Sequence, residues 1–191
     1  MADEKNEHLL SSAWSLWYDS GKPRGKTFGS ISQKEWMATL KEVCSFTSVE
    51  QFWAIFNNLL PANRMQTGSS YYLFKKGIRP EWEDKANEKG GRWHFVLTKD
   101  EKSIAGGVWL YLVLGLIGNE TKGGDDIVGG AVSMREREFR VSVWVKNLIS
   151  VYDQHKIGIH LKKVLKMDRK NLFFRTHESD KKRDNVNQMT V

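Results

Sequence analysis

The residue types in this chain that could do chemistry suit binding better than catalysis. Eight tryptophans occur in 191 residues, and an indole offers a flat face on which a nucleobase stacks. Core filling accounts for at least half of them. In residues 138–146, Phe139, Val141, Val143 and Val145 alternate with Arg140, Ser142, Trp144 and Lys146. Strand side chains point to opposite faces in turn, so the valine face belongs under a core. The other face presents an arginine and a tryptophan to solvent or to a ligand. In residues 127–135, Arg135 shares a face with Ala131 and Ser133, opposite Val132 and Met134. If both apolar faces meet one core, Arg135, Arg140 and Trp144 lie together on the open side. The same pattern also describes a solvated basic strand with one half-exposed tryptophan, and pattern alone does not choose.

Other constellations lead nowhere. Gly25-Lys26-Thr27 lacks the glycine that a phosphate-binding loop needs five residues upstream: Ser20 stands there, and Gly21 is one residue too close. Four Gly-Gly pairs begin at 90, 106, 123 and 129, and none forms a dinucleotide-binding glycine pattern. Among the histidines, His155 and His160 are five apart and share no helix face. No cysteine or carboxylate completes a metal set with them. Cys44 reads as a small buried residue and Asp125-Asp126 as a solvated loop. An enzyme finds no support.

The elements that must position these residues are partly legible. Leu9 to Tyr18 reads as a strand, and residues 19–33 as a long loop around Pro23. Val49, Phe52, Trp53, Phe56 and Leu60 recur at helical spacing, which predicts a helix over 48–60. Ser48-Val49-Glu50-Gln51 matches a capping box, and Pro61 follows as a stop. Strands are expected at 70–75, 92–98, 127–135, 138–146 and 171–176. Lys102 to Asn119 and Val151 to Met167 read as two further helices. Short strand-to-strand connections favour an α+β fold, a mainly antiparallel sheet with helices packed on one face.

Composition sets the bounds. The length suits one domain, expected over 9–180 between flexible tails at 1–8 and 181–191. The net charge of +7 suggests an anionic partner, though Lys181-Lys182-Arg183 supply part of the excess. One cysteine excludes an internal disulfide and fits a reducing compartment. The most apolar stretch, Ile104 to Gly118, has 15 residues and four glycines. A membrane helix needs about 20, so no membrane association is expected. The N-terminus has no apolar run of the kind a signal peptide carries.

Several segments in order resemble the eukaryotic translation initiation factor 4E family, across roughly residues 8 to 180. They are Ser48-Val49-Glu50-Gln51-Phe52-Trp53, Tyr72 to Asp84 (Tyr-Leu-Phe-Lys-Lys-Gly-Ile-Arg-Pro-Glu-Trp-Glu-Asp), and Lys89-Gly90-Gly91-Arg92-Trp93. Leu114 to Gly118 and Gly130 to Arg135 add to them. The resemblance implies a curved antiparallel sheet with three helices on its convex back. It also implies a slot for the 7-methylguanosine 5′ cap of messenger RNA on the concave face.

On that resemblance the methylated base is sandwiched between Trp36 and Trp82. Phe28, in Lys26-Thr27-Phe28, also resembles the family's aromatic position, but counting back from Trp53 without a gap selects Trp36. Methylation at N7 makes guanine cationic, so two indoles add cation–π attraction to stacking. Glu83 accepts the N1–H and N2–H edge of guanine, bonds that charge strengthens. Trp144 touches the methyl group. Arg135 and Arg140 clamp the phosphates, with Arg137 and Lys182 as weaker candidates. The helix face implies docking of a 4G-type scaffold or a 4E-binding repressor through Val49, Trp53 and Leu110, with His8 at the edge. Two departures are Leu9, where the family has proline, and Tyr111, where it has an acidic residue. The ligand is the cap, and no cofactor or metal is expected. A cytoplasmic monomer is expected, with a nuclear location also open. The alternatives are a cap-binding repressor with altered scaffold binding and a general single-stranded RNA-binding domain.

Overall fold

The computed structural model describes residues 7–21, 33–119, 126–147, 150–182, 184 and 189–191, and only the backbone of Gln33, Lys34 and Trp36. Strands β1 (Leu9–Asp19), β2 (Leu40–Ser48), β3 (Ser70–Lys75), β4 (Gly91–Thr98), β5 (Ile127–Met134), β6 (Glu138–Val145), β7 (Phe173–Thr176) and β8 (Met189–Thr190) form one curved sheet. Its order is β2-β1-β3-β5-β6-β4-β7-β8, and every pairing is antiparallel. Helices α1 (Gln33–Thr39), α2 (Val49–Phe56), α3 (Ala105–Ile117), α4 (Val151–Val164) and α5 (His177–Lys181) are the α-helices among the described residues. The expected antiparallel α+β layer is present.

Period-two alternation decides the two faces. Leu16, Leu73, Val132, Val141, Val143, Phe95 and Phe174 join Trp109, Leu112 and Leu161 of the helices in the main core. The other face carries a second apolar cluster of Trp17, Leu40, Tyr72, Phe74, Val128, Ala131 and Trp144. Register lines these residues up in rungs. One rung runs Trp17, Tyr72, Ala131, Ser142, His94, Phe173, and its neighbour runs Phe74, Gly129, Trp144, Arg92, Arg175. The predicted parity of β5 and β6 holds from Gly129 to Val145. A register shift between Ile127 and Gly129 then returns Ile127 to the main core and leaves Val128 in the second cluster.

The differences from expectation have local causes. Helix α2 ends at Phe56 rather than Leu60. Half of its capping box forms: the Ser48 hydroxyl accepts the Gln51 N–H at 3.3 Å, while the Gln51 side chain accepts from the Thr47 N–H at 2.9 Å. The predicted helix at 102–119 begins as a 3-10 segment, Lys99–Ile104, with a complete Thr98–Glu101 capping box. Helix α1 and strand β2 fall in a stretch with no predicted element. The reason is physical: β2 is an edge strand that buries only Leu40, Phe46 and Ser48, so it has little hydrophobic pattern. A seven-residue helix such as α1 depends on its docking rather than on its propensity. The C-terminus also departs from a tail over 181–191. Strand β8 pairs with β7, and Leu172 and Val191 exchange two backbone hydrogen bonds of 3.0 Å.

Candidate nucleic-acid interface

Residues 76–90 join β3 to β4 and carry Trp82 and Glu83, and short-range polar bonds hold them in shape. Gly77 turns the chain at φ 89°, a left-handed conformation that suits glycine. Asn87 is fully buried and donates from Nδ2 to the carbonyls of Arg79 and Glu81, both at 2.8 Å. The Asp84 carboxylate accepts the N–H groups of Arg79 and Ala86, both at 2.9 Å. Arg79 ion-pairs with Glu81, and its guanidinium lies 5.3 Å from the Trp17 ring centroid. Gly90 closes the loop where a Cβ would stand 1.9 Å from the Val145 carbonyl oxygen. Replacing Asn87 with alanine would remove two hydrogen bonds made by a fully buried side chain. The expected cost is about 1–3 kcal/mol of stability, read as a lower urea midpoint.

This scaffold leaves Trp82 half-buried, packed with Ile78 against the second apolar cluster. Glu83 is exposed. Beside them an open cleft of about 520 Å³ is lined by Met37, Gly77, Arg79, Glu81, Glu83, Asp84 and Lys85. That volume suits one nucleotide-sized ligand. Met37 comes from α1, so the helix that carries Trp36 borders the cleft. The position of α1 is tied to β1 through the buried Asp19 carboxylate. It accepts the Thr39 hydroxyl and the Gly21 N–H, both at 2.8 Å. The Trp36 side chain and all of Phe28 lie outside the described residues.

The predicted phosphate ligands divide. Arg135 is half-buried, donates from Nη1 to the carbonyls of Gly68 and Met134 at 3.1 Å, and interacts electrostatically with Tyr72, Arg140 and Asp19. Burial lowers its pKa below the ordinary arginine value, yet a guanidinium keeps its charge. Arg140 is exposed, with Nε 2.5 Å from Glu138. Arg135 and Arg140 therefore share the open face, as the parity predicts. Arg137 is exposed in the turn between β5 and β6. Lys182 caps α5 and ion-pairs with Glu178 at 2.6 Å.

Trp144 differs from the expected open tryptophan. It faces the same side as Arg140 but is only 4% exposed. Phe74 meets it edge-on at 5.3 Å, and the His177 ring of α5 lies 4.3 Å from its centroid. Burial, reinforced by Arg92, holds the His177 pKa down at about 3, so the ring covering Trp144 is neutral near pH 7.

The predicted docking residues lie on the helix side. Trp53 is 37% exposed and packs tilted against the Phe52 ring at 4.9 Å, while Val49 and Leu110 are half-buried. His8 is exposed. Its ring Nδ1 lies 2.6 Å from the Glu50 carboxylate, and its backbone carbonyl accepts the Val49 N–H at 2.9 Å. The hydrogen bond from His8 is the main reason that Glu50 titrates at about 2. Tyr111 is 40% exposed beside Leu110, and Lys166 lies 3.2 Å from its hydroxyl.

Sequence reasoning missed Met37, Arg79, Glu81 and Lys85 in the cleft, because nothing local predicts α1 beside the loop. It also missed Arg92, His94 and Arg175 on the open face. Their signal was present: Arg92, His94 and Val96 alternate with the core residues Trp93, Phe95 and Leu97. Among the described residues no group of three or more His, Cys, Asp or Glu side chains could hold a metal ion. No described helix is long and apolar enough to cross a membrane.

A curved antiparallel sheet with α2, α3 and α4 on one face and a cleft between an aromatic loop and a short helix defines a single ligand-binding module. The model of the eukaryotic initiation factor 4E family matches residues 9–190, and the chain belongs to that family. It is 38% identical to eukaryotic translation initiation factor 4E of Candida albicans over 192 residues, covering 95% of this chain and 87% of that protein. The Dictyostelium discoideum factor is 40% identical over 162 residues, covering 85% of this chain and 62% of that protein. Among solved structures, C. elegans eIF4E-3 in complex with the 4E-binding protein Mextli and a cap analog superposes with a TM-score of 0.84. Its identity is 32%, with 97% of this chain and 99% of that chain covered. Ascaris suum eIF4E-3 with an m7G cap matches at the same TM-score and identity, covering 97% and 98%.

Proposed function

We propose that this protein binds the 7-methylguanosine 5′ cap of messenger RNA and recruits capped message to a 4G-type scaffold for translation initiation. One observation carries the reading. The loop locked by Asn87 and Asp84 lines the cleft with Glu81 and Glu83 and carries Trp82 between them. Family relatives are seen with an m7G cap and with a 4E-binding protein. Trp36 and Trp82 stack on the methylated base, and Glu83 reads its guanine edge. Arg135 and Arg140 take the phosphates, helped by Arg137. Lys182 contributes less, because Glu178 holds its ammonium. Trp144, buried between Phe74 and His177, is the candidate for the methyl contact. Val49, Trp53 and Leu110 form the docking patch for the partner helix, with His8 at its edge. Binding requires no cofactor, and no reaction follows.

The test is retention on immobilised 7-methyl-GTP. Free 7-methyl-GTP should release the protein and GTP should not. Equal release by the two nucleotides would favour a general nucleic-acid binder and overturn the reading.

A further inference from the structure

The open face has a second, separate platform three to four strands from β3. His94 of β4 and Phe173 of β7 are direct cross-strand partners, with ring centroids 6.0 Å apart at 40°. Both are half-buried, and neither belongs to either apolar cluster. Val96, one position further along the same face of β4, is 38% exposed. The platform is bordered by arginines. Arg140 pairs with Val96 on one side, while Arg92 and Arg175 occupy the next rung on the other. Asp180 bridges Arg92 at 2.8 Å and Arg175 at 3.3 Å, so one carboxylate answers two guanidinium groups. Burial, together with Arg92, lowers the His94 pKa to about 4, which keeps this ring neutral and apolar at pH 7.

An aromatic pair, its rings tilted by 40°, flanked by unevenly compensated arginines has the composition of a single-stranded nucleic-acid subsite: a base stacks and the backbone follows the cations. Arg140 connects it to the cap site. It sits on β6, directly beside β4, so a chain whose phosphates Arg140 holds passes next over His94 and then Phe173. Adjacent strands are about 4.8 Å apart and residues rise about 3.4 Å along a strand, so Phe173, two strands across and two residues along, lies roughly 12 Å from Arg140. We infer that His94 and Phe173 form a stacking subsite for a nucleotide that follows the cap, with Arg140, Arg92 and Arg175 holding its backbone. This rests on the cap-binding reading and adds to it a length dependence.

The experiment compares the affinity of 7-methyl-GTP with that of a capped pentanucleotide, by quenching of tryptophan fluorescence. The wild-type chain should bind the capped oligonucleotide about tenfold more tightly. Phe173→Leu keeps apolar volume but loses the ring. It should leave 7-methyl-GTP affinity unchanged and remove most of that gain, and Phe173→Trp should restore it. His94→Gln serves the same comparison should Phe173→Leu fail to fold. A wild-type chain that binds 7-methyl-GTP and the oligonucleotide equally overturns the inference alone, as does a gain that survives the loss of either ring. A chain that binds neither overturns the cap reading and this inference with it.

Discussion

Replacing Trp82 with alanine should abolish retention on immobilised 7-methyl-GTP while the chain stays folded. Stacking on one aromatic side chain contributes about 1–3 kcal/mol per base, and desolvated cation–π attraction to the methylated ring adds roughly 2 kcal/mol. At about 1.4 kcal/mol per decade, the loss is on the order of a hundred- to several thousand-fold. The fold should survive because Trp82 is half-buried at the edge of the second cluster, outside the main core. Trp82→Leu separates the two roles, since it keeps apolar packing against the second cluster but offers no ring to the base. Trp36→Ala should match Trp82→Ala, and Phe28→Ala should change nothing. The reverse result for Phe28 and Trp36 would show that the second indole has been placed wrongly. The measurement is a fluorescence titration, with a thermal melt of each variant alongside.

The second large effect is expected at Glu83. A carboxylate presents two acceptors to the paired N–H donors of guanine. Glutamine presents one acceptor and an NH₂ that meets a donor. Hydrogen bonds to charged groups contribute about 1.5–3 kcal/mol each, so Glu83→Gln should weaken 7-methyl-GTP binding by roughly a hundred-fold. The loss should come with relaxed base selectivity, tested against a 7-methylated adenine nucleotide. Stability should hardly change, because Glu83 is exposed. Binding within twofold of the wild type would remove Glu83 from the recognition set.

Much of this site was legible before the fold. The alternation in 138–146 separates the valines from Arg140 and Trp144, and the sheet keeps that separation because the pleat has a period of two. Helix α2 was legible because its apolar residues repeat at helical spacing and Ser48 caps it. The short helix α1 and the edge strand β2 were not, because each buries too few residues to leave a pattern. Trp144 shows where parity stops. Alternation gives its face, but its enclosure depends on His177, 33 positions later in the chain, arriving 4.3 Å away.

By itself, then, the amino-acid sequence determined which side chains share a face, the family, and the two residues, Trp82 and Glu83, that stand together in one loop. Those properties are local, set by strand period, helix period and neighbouring positions. Only the tertiary structure decided which strands are neighbours. Placing β4 between β6 and β7 brings Arg92 and His94 beside Arg140 on one side and Phe173 and Arg175 on the other. Docking α1 against β1 through Asp19 brings Met37 to the cleft. Strand order and helix docking follow from burying one core shared by distant segments, and no window of the chain contains that information.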